Sequence, residues 1–446
     1  MKFTHQTKNK VLFPIYIFLI LSGSSHCKSV SVKNNKKLIN AVSLKSKNQS
    51  YLDPIEYFFG NYIASIKSKY LCLISNQSGL ARFVNLPSSN GKSYLQSQFE
   101  KNGSKLKIIF TPEHGISAQE EEFGNHHHRK KNIRVDTLYK MFVWQIQKKI
   151  ANCNDIIFDL PDSGVRPYTY RTIMLRTMRA ISKTLKKKKN ITFYILDRPN
   201  PARGHGIHPP FAIKRYFTSI GEQHMPFMPQ VTQAEMAKLY YHEKRMKFEM
   251  KIFKLKNYKG SLRAKQSQYI YPPSPSLPTY RSTMCYWTGV LLETTVLHEG
   301  RNTNDPFCLT AHPNFHYKLK LPKSKNYYWE IFRYKPYQGR YSKKMLNGFR
   351  LRITNYNQVN MNKIAYNLLL FFKKTFPKKR IWKKYKKTYA IDELTGTNLF
   401  RKAIEQELPY RRWLQQNQNS IEQFKNRIRP HLIYQYFWSK NQTRLN

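Results

Sequence analysis

Short apolar runs that break off into polar, conformationally stiff turns set the pattern of the first half of the chain. Tyr70-Leu-Cys-Leu-Ile-Ser75 leads into Asn76-Gln-Ser-Gly79, and Lys107-Ile-Ile-Phe110 leads into Thr111-Pro-Glu-His-Gly115. Asp155-Ile-Ile-Phe158 leads into Asp159-Leu-Pro-Asp-Ser-Gly164, and Ile191-Thr-Phe-Tyr-Ile-Leu196 into Asp197-Arg-Pro-Asn-Pro201. Such runs, rich in β-branched and aromatic residues, predict buried strands of a parallel sheet. Between them, Leu138 to Ile150 and Thr172 to Leu185 carry apolar residues at helical spacing. Thr232 to Tyr241 predicts a further helix, opened by a capping box between Thr232 and Glu235. Phe248 to Phe253 alternates like a half-buried strand. The series predicts an α/β fold of the doubly wound class, with helices on both faces of the sheet. Ligands of that class bind beyond the carboxyl ends of the strands. Here that edge gathers Asn76, Glu113, His114, Asp159, Asp162, Arg166, Asp197, Arg198 and Asn200.

Tyr271-Pro-Pro-Ser-Pro-Ser-Leu-Pro278 interrupts the series. So dense a run of prolines forms neither helix nor central strand, and it reads as a stiff connector or the wall of a cleft. It divides a first α/β domain over 51–270 from a second over 271–446. The second contains a helix–strand mixture, a Tyr-rich strand region around Tyr327, Tyr328 and Tyr334, and a helical tail.

The formal charge of +53, from 78 Lys+Arg against 25 Asp+Glu, implies a general attraction for polyanions. The excess is spread along the chain rather than gathered on one element, so no specific nucleic-acid site is expected. A hydrophobic content of 40% excludes wholesale disorder. Lys2, Lys8 and Lys10 precede the apolar stretch Val11 to Leu21 and the small residues Ser22-Gly-Ser-Ser25. This is the build of a secretory signal over 1–26, followed by a polar linker over 27–50. No transmembrane anchor is expected, and the mature chain is expected to be periplasmic or secreted. Cys72 sits in a strand run, as small buried thiols do. Cys285 and Cys308 allow a bridge in an exported protein without requiring one.

Pro112-Glu113-His114-Gly115 places a carboxylate directly after a strand, where burial can suit it to general acid–base work. Alone, the tetrapeptide reads better as a helix-capping turn; beside three similar strand ends, the chemical reading goes ahead. Asp159 to Tyr170 crowds Asp162, Arg166, Tyr168 and Tyr170 together. Arg forks hold carboxylates and Tyr rings suit sugar faces; an internal Asp–Arg pair ordering the loop is the equal alternative. Of Asp197 and Asn200, the first reads as a loop lock and the second as a ligand contact. Glu299 and Arg301 lie in a charged turn of the second half, a candidate opposite lip or a solvated loop. His126-His127-His128 lacks an acidic partner at ligand spacing, so no metal is expected.

Taken in order, Ile74-Ser-Asn-Gln-Ser-Gly79, Pro112-Glu-His-Gly115, Asp162-Ser-Gly-Val-Arg-Pro-Tyr-Thr-Tyr170 and Asp197-Arg-Pro-Asn-Pro201 resemble the NamZ-type exo-β-N-acetylmuramidases. Pro273-Ser-Pro-Ser-Leu-Pro278, Glu299-Gly-Arg301, Thr303, Pro306-Phe307 and Asp392-Glu-Leu-Thr-Gly396 extend the resemblance, which runs from about Leu71 to Tyr434. It implies a Rossmann-like N-terminal domain, a C-terminal α/β domain and a cleft between them. It also implies an exported glycoside hydrolase of peptidoglycan recycling that releases N-acetylmuramic acid from non-reducing ends, without a cofactor. The family's catalytic glutamate falls on Glu113. Asp162 is then the candidate second carboxylate, with Asn76, His114, Arg166, Tyr168, Tyr170, Asn200, Glu299 and Arg301 as candidate substrate contacts. Arg166 and Arg301 are the candidates for the lactyl carboxylate. The chain departs from the family at Pro229-Gln230, where an Arg-His-Gly motif ends in His-Gly, and at Ser276 for Asn. It departs again at Asn302 for the second Gly of Gly-Arg-Gly-Thr, and at Val296-Leu-His298 for Asn-x-Ser. The second expectation is accordingly a catalytically weakened glycan-binding protein of the same fold.

Overall fold

The computed structural model describes residues 70–80, 105–116, 128–130, 133–185, 190–258, 273–316, 318–376, 381–385 and 388–434, with Phe58 and Ile66. The expected signal, the linker and Cys27 lie outside these residues. Its main sheet takes β1 (Tyr70–Ser75), β2 (Lys105–Thr111), β3 (His128–Lys130), β4 (Ile133–Thr137), β5 (Asp155–Asp159) and β6 (Thr192–Leu196). A small hairpin, β7 (His208–Phe211) with β8 (Pro226–Met228), precedes the last strand of that sheet, β9 (Met250–Phe253). The order is β3-β4-β2-β1-β5-β6-β9, parallel throughout except for the β3–β4 pair. Its six parallel strands run in the doubly wound order whose direction of winding reverses between the first and fourth of them, β1 and β5.

The lack of polar alternation in the runs has a direct cause. Cys72 and Ile74 of β1 face one hydrophobic cluster while Leu71 and Leu73 face another, so both sides of the strand are buried. All four expected strands form, and Phe248 to Phe253 ends in β9. Strand β4 was not expected. Ile133-Arg-Val-Asp-Thr137 offers only two apolar side chains, and the helical spacing that starts at Leu138 masks it. The expected helix over 138–150 is correspondingly short: α1 covers Val143–Lys149. Leu138 to Phe142 is instead the exit from β4.

Helix α2 (Thr169–Leu185) follows β5, and α3 (Gln233–Glu243) is opened by the expected Thr232/Glu235 capping box. In the second half, α4 (Tyr280–Leu292) packs on α5 (Met361–Thr375) beside the antiparallel sheet β10 (Leu309–His312), β12 (Leu346–Ile353), β11 (Tyr327–Tyr334). Short helices from Ala390 to Ile428 form the tail. The buried Trp287 of α4 donates from Nε1 to the Ser163 carbonyl at 2.7 Å. The chain then returns to the first sheet, where Tyr434 donates to Asp197 Oδ2 at 2.8 Å. Two disulfides, Cys72–Cys153 and Cys285–Cys308, tie strand to loop and helix to strand. Cys72 is therefore bonded, not the free thiol expected of a residue inside a strand. Among the described residues no helix is long and apolar enough to cross a membrane.

Candidate active site

Strand β2 ends at Thr111, and Pro112 delivers Glu113 at once into a turn. His114 and Gly115 that follow have φ of 74° and 69°. A left-handed residue with a side chain costs roughly 1–2 kcal/mol, so this turn is held by its surroundings. Thr169, the first residue of α2, donates from Oγ1 to Glu113 Oε2 at 2.9 Å. Tyr139, just past β4, lies close enough for the Glu113 charge to act on its phenol. Three strand exits thus converge on one half-buried glutamate.

An aromatic wall runs from this point into the second half of the chain. The rings of Tyr168 and Tyr170 lie 4.4 Å apart, Tyr168 and Tyr286 6.1 Å, and Tyr286 and Phe307 4.8 Å. The Arg301 guanidinium sits 4.8 Å above the Phe307 ring. It bonds Glu293 at 3.1 Å, lies 3.8 Å from Glu299 and donates to Ser276 Oγ at 3.5 Å. Burial, then the charge of Glu113, raises the Tyr139 phenol well above its usual pKa, and the charges of Arg301 and Glu293 also act on it. Tyr286 feels the same three groups and is raised chiefly by burial. Glu113 and the Glu293–Arg301–Glu299 cluster therefore belong to one site. Backbone strain marks it as well: Lys140, Asn302 and Phe307 join His114 at positive φ.

Glu299 is buried, and burial followed by the neighbouring Glu293 charge pushes its pKa from 4.5 up to about 7. A carboxyl that holds its proton more tightly when folded favours the native state below the unfolded value. That advantage is lost as pH rises through the folded value. Thermal unfolding followed from pH 4.5 to pH 7 is therefore expected to show wild type losing Tm relative to Glu299→Gln. A parallel pair of Tm–pH curves would exclude a raised Glu299.

Other expected contacts have internal duties. Asn76 donates to Tyr170 Oη at 2.9 Å and the Pro273 carbonyl at 3.2 Å, and accepts from Ser78 N at 3.0 Å. Its side chain braces the proline segment against the sheet, as a cleft wall requires. Asp162 pairs with Arg171 and accepts from Gly164 N at 3.2 Å. The internal Asp–Arg reading holds, though with Arg171 rather than Arg166. Arg166 is 1% exposed and donates to the Leu394 carbonyl at 3.1 Å, so it presents nothing to a substrate carboxylate. Asn200, expected as a ligand contact, is a loop lock: it donates to the Val231 carbonyl at 2.7 Å and accepts from Ala202 N at 2.8 Å. Asp197 locks its loop too, accepting from Thr232 Oγ1 at 2.7 Å and Ala234 N at 3.1 Å. Tyr139, Thr169, Tyr286 and Glu293 belong to the site but were not selected from the sequence. Thr169 lies inside the singled-out segment Asp159 to Tyr170, whereas Tyr139 is hidden in the over-long helix. Among the described residues no group of three His, Cys, Asp or Glu is placed to hold a metal ion.

The departures have a structural reading. Gln230 and Asn302 replace glycines of the family pattern, and both adopt φ near the left-handed region, 64° and 56°. Asn takes such a conformation easily, and Gln takes it at some strain. His298 stands where the family has Ser. Its Nδ1 accepts from Gly300 N at 3.1 Å, a bond that a serine hydroxyl also makes two residues ahead. Ser276, where the family has Asn, accepts from Arg301 at 3.5 Å.

Residues 71–281 match the N-terminal model of exo-β-N-acetylmuramidase NamZ, and residues 284–434 match its C-terminal model. The peptidoglycan β-N-acetylmuramidase NamZ of Bacillus subtilis (strain 168) is 25% identical over 435 residues, spanning 95% of this chain and 100% of that protein. Crystal structures of two DUF1343 family proteins from Bacteroides fragilis NCTC 9343 share the fold. Their TM-scores are 0.70 and 0.65 at 18% and 23% identity, each covering 86% of this chain and 99% of its own. With both halves matched in order and the strand-end glutamate held by Thr169, the chain belongs to the NamZ exo-β-N-acetylmuramidase family.

Proposed function

We propose that this protein is an exported exo-acting glycosidase that releases N-acetylmuramic acid from the non-reducing ends of peptidoglycan fragments. The observation that carries this reading is Glu113: a carboxyl at a strand exit, held by Thr169 and flanked by a wall of tyrosine rings. The activity of the Bacillus subtilis relative supports the same substrate class. Glu113 gives its proton to the glycosidic oxygen as the bond to the anomeric carbon breaks, and the leaving sugar departs as a neutral alcohol. Water then supplies the new hydroxyl and returns a proton to Glu113. Positive charge developing on the sugar ring is stabilised from the opposite lip by the Glu293 carboxylate, 3.1 Å from Arg301.

With Asp162 committed to Arg171, the second acidic role passes to this lip. Arg301, one-third exposed, is the guanidinium placed for the lactyl carboxylate. Export is supported by the basic, apolar leader and by two disulfides, which persist in oxidising compartments. The test is a product assay on two β-1,4-linked disaccharides. The one with N-acetylmuramic acid at its non-reducing end is expected to yield the free acid sugar, and its sequence isomer is expected to stay intact. Cleavage of the isomer alone, or of neither, overturns the reading.

A further inference from the structure

We propose that Phe142 and Trp144 form a stacking platform for the leaving part of the glycan. They hold the sugars beyond the one bonded directly to N-acetylmuramic acid, which makes the preferred substrate a glycan chain rather than a disaccharide. The proposal rests on the glycosidase reading of Glu113 given above. Phe142 is 63% exposed and Trp144 52%. The core does not need them, because Val143 and Ile146 supply the buried side of α1. Single apolar residues on a surface are ordinary, but two large aromatics within one helical turn make a patch. Such rings suit the apolar C–H faces of sugars.

Sheet geometry puts this patch beside the catalytic turn. Strands β2 and β4 are parallel neighbours whose last residues, Thr111 and Thr137, are paired. Leu138 N donates to the Thr111 carbonyl at 3.0 Å, and Met141 N donates back to the Leu138 carbonyl at 3.2 Å. The chain therefore turns tightly at the carboxyl edge, and α1 starts at the level where Glu113 emerges just past Thr111. The turn is braced as well. Arg176 of α2 donates to the Met141 carbonyl at 2.8 Å, and Phe142 N donates to Gln145 Oε1 at 2.8 Å. The wall of Tyr168, Tyr170 and Tyr286 starts instead from the segment after β5, where Thr169 bonds Glu113. In the sheet order β4-β2-β1-β5, Glu113 at the exit of β2 lies between the two aromatic groups. A general acid sits at the bond it cleaves. With the muramic acid on the side of the wall and Arg301, the rest of the glycan emerges towards β4, over Phe142 and Trp144. Charge suits that route. No acidic residue occurs between Asp136 and Asp155, and Lys148 Nζ lies 5.0 Å over the Trp144 ring. The next muramic acid along a glycan chain brings its own carboxylate to this basic strip.

The test compares the muramyl disaccharide with a tetrasaccharide built from two of its units. Covering a half-exposed aromatic ring recovers about half the value of burying it fully, on the order of tenfold in affinity. Wild type is therefore expected to show a KM about tenfold lower on the tetrasaccharide, at similar kcat. The double variant Phe142→Ala/Trp144→Ala is expected to abolish that advantage. On the disaccharide it should keep KM and kcat within about twofold of wild type, with Tm unchanged. A merely structural role for the two rings would cost the same on both substrates. Such an equal loss, an advantage that survives the double substitution, or equal KM for the two substrates in wild type overturns the proposal and leaves the glycosidase reading standing. Cleavage of neither substrate by wild type overturns that reading, and this proposal with it.

Discussion

Glu113→Gln is expected to lower kcat on the muramyl disaccharide by about 10²–10⁴ while the protein melts as wild type does. The glutamine has nearly the size of the glutamate, and its amide oxygen can still accept from Thr169, so the local bond survives. What disappears is the transferable proton. Substrate binding, carried by the aromatic wall and the Arg301 side, should hold KM close to its wild-type value. Asp162→Asn provides the contrast. That carboxylate is buried against Arg171, and losing one partner of a buried pair costs about 3–5 kcal/mol because the other charge is left uncompensated. Its effect should therefore appear in Tm before it appears in turnover. Wild-type kcat in the Glu113→Gln variant would remove Glu113 from the mechanism and turn attention to Glu293 and Glu299.

Opening the Cys72–Cys153 bond by a paired change to alanine is expected to destabilise the protein by about 4 kcal/mol. The reason lies in the unfolded chain: the bond closes a loop of 81 residues, and the entropy of that closure grows with loop length. The Cys285–Cys308 bond closes only 23 residues and should cost about 3 kcal/mol on the same scale. Urea unfolding of the two paired variants beside wild type, with and without a thiol reductant, measures the difference. Reductant, which opens both bonds, should bring wild type below either variant measured without it. Identical urea midpoints for wild type and both variants would mean that neither bond constrains the unfolded state. Such bonds suit a chain exported to an oxidising compartment, where a basic and apolar leader would take it.

Gln230 and Asn302, which depart from glycines of the family pattern, both adopt positive φ, the conformation glycine takes most easily. Both carry a side chain on a backbone of that kind. Gly79 shows the opposite case. A Cβ there would lie 2.5 Å from the Asp159 carbonyl oxygen, because the turn after β1 presses against the end of β5 at the point where the sheet reverses its direction of winding.

The sequence by itself determined the class of fold and the strands that form its centre, and it put forward Glu113 as the carboxyl for the chemistry. These follow from local pattern. A run apolar on both faces declares a strand buried on both sides, and the residue that follows it must emerge at the sheet's carboxyl edge. Strand β4 escaped because two apolar residues make no run, and Tyr139 went with it. Which polar groups at that edge meet a substrate was decided only by the tertiary structure. Asn76, Asn200 and Arg166 look as available as Glu113 in the sequence. Their bonds are taken by the carbonyls of Pro273, Val231 and Leu394, up to 228 positions away along the chain. A buried donor must find an acceptor, and no local pattern says which distant backbone will supply it. The same holds for the opposite lip, where Glu293, Glu299 and Arg301 acquire their relation to Glu113 only through packing of the second half against the first.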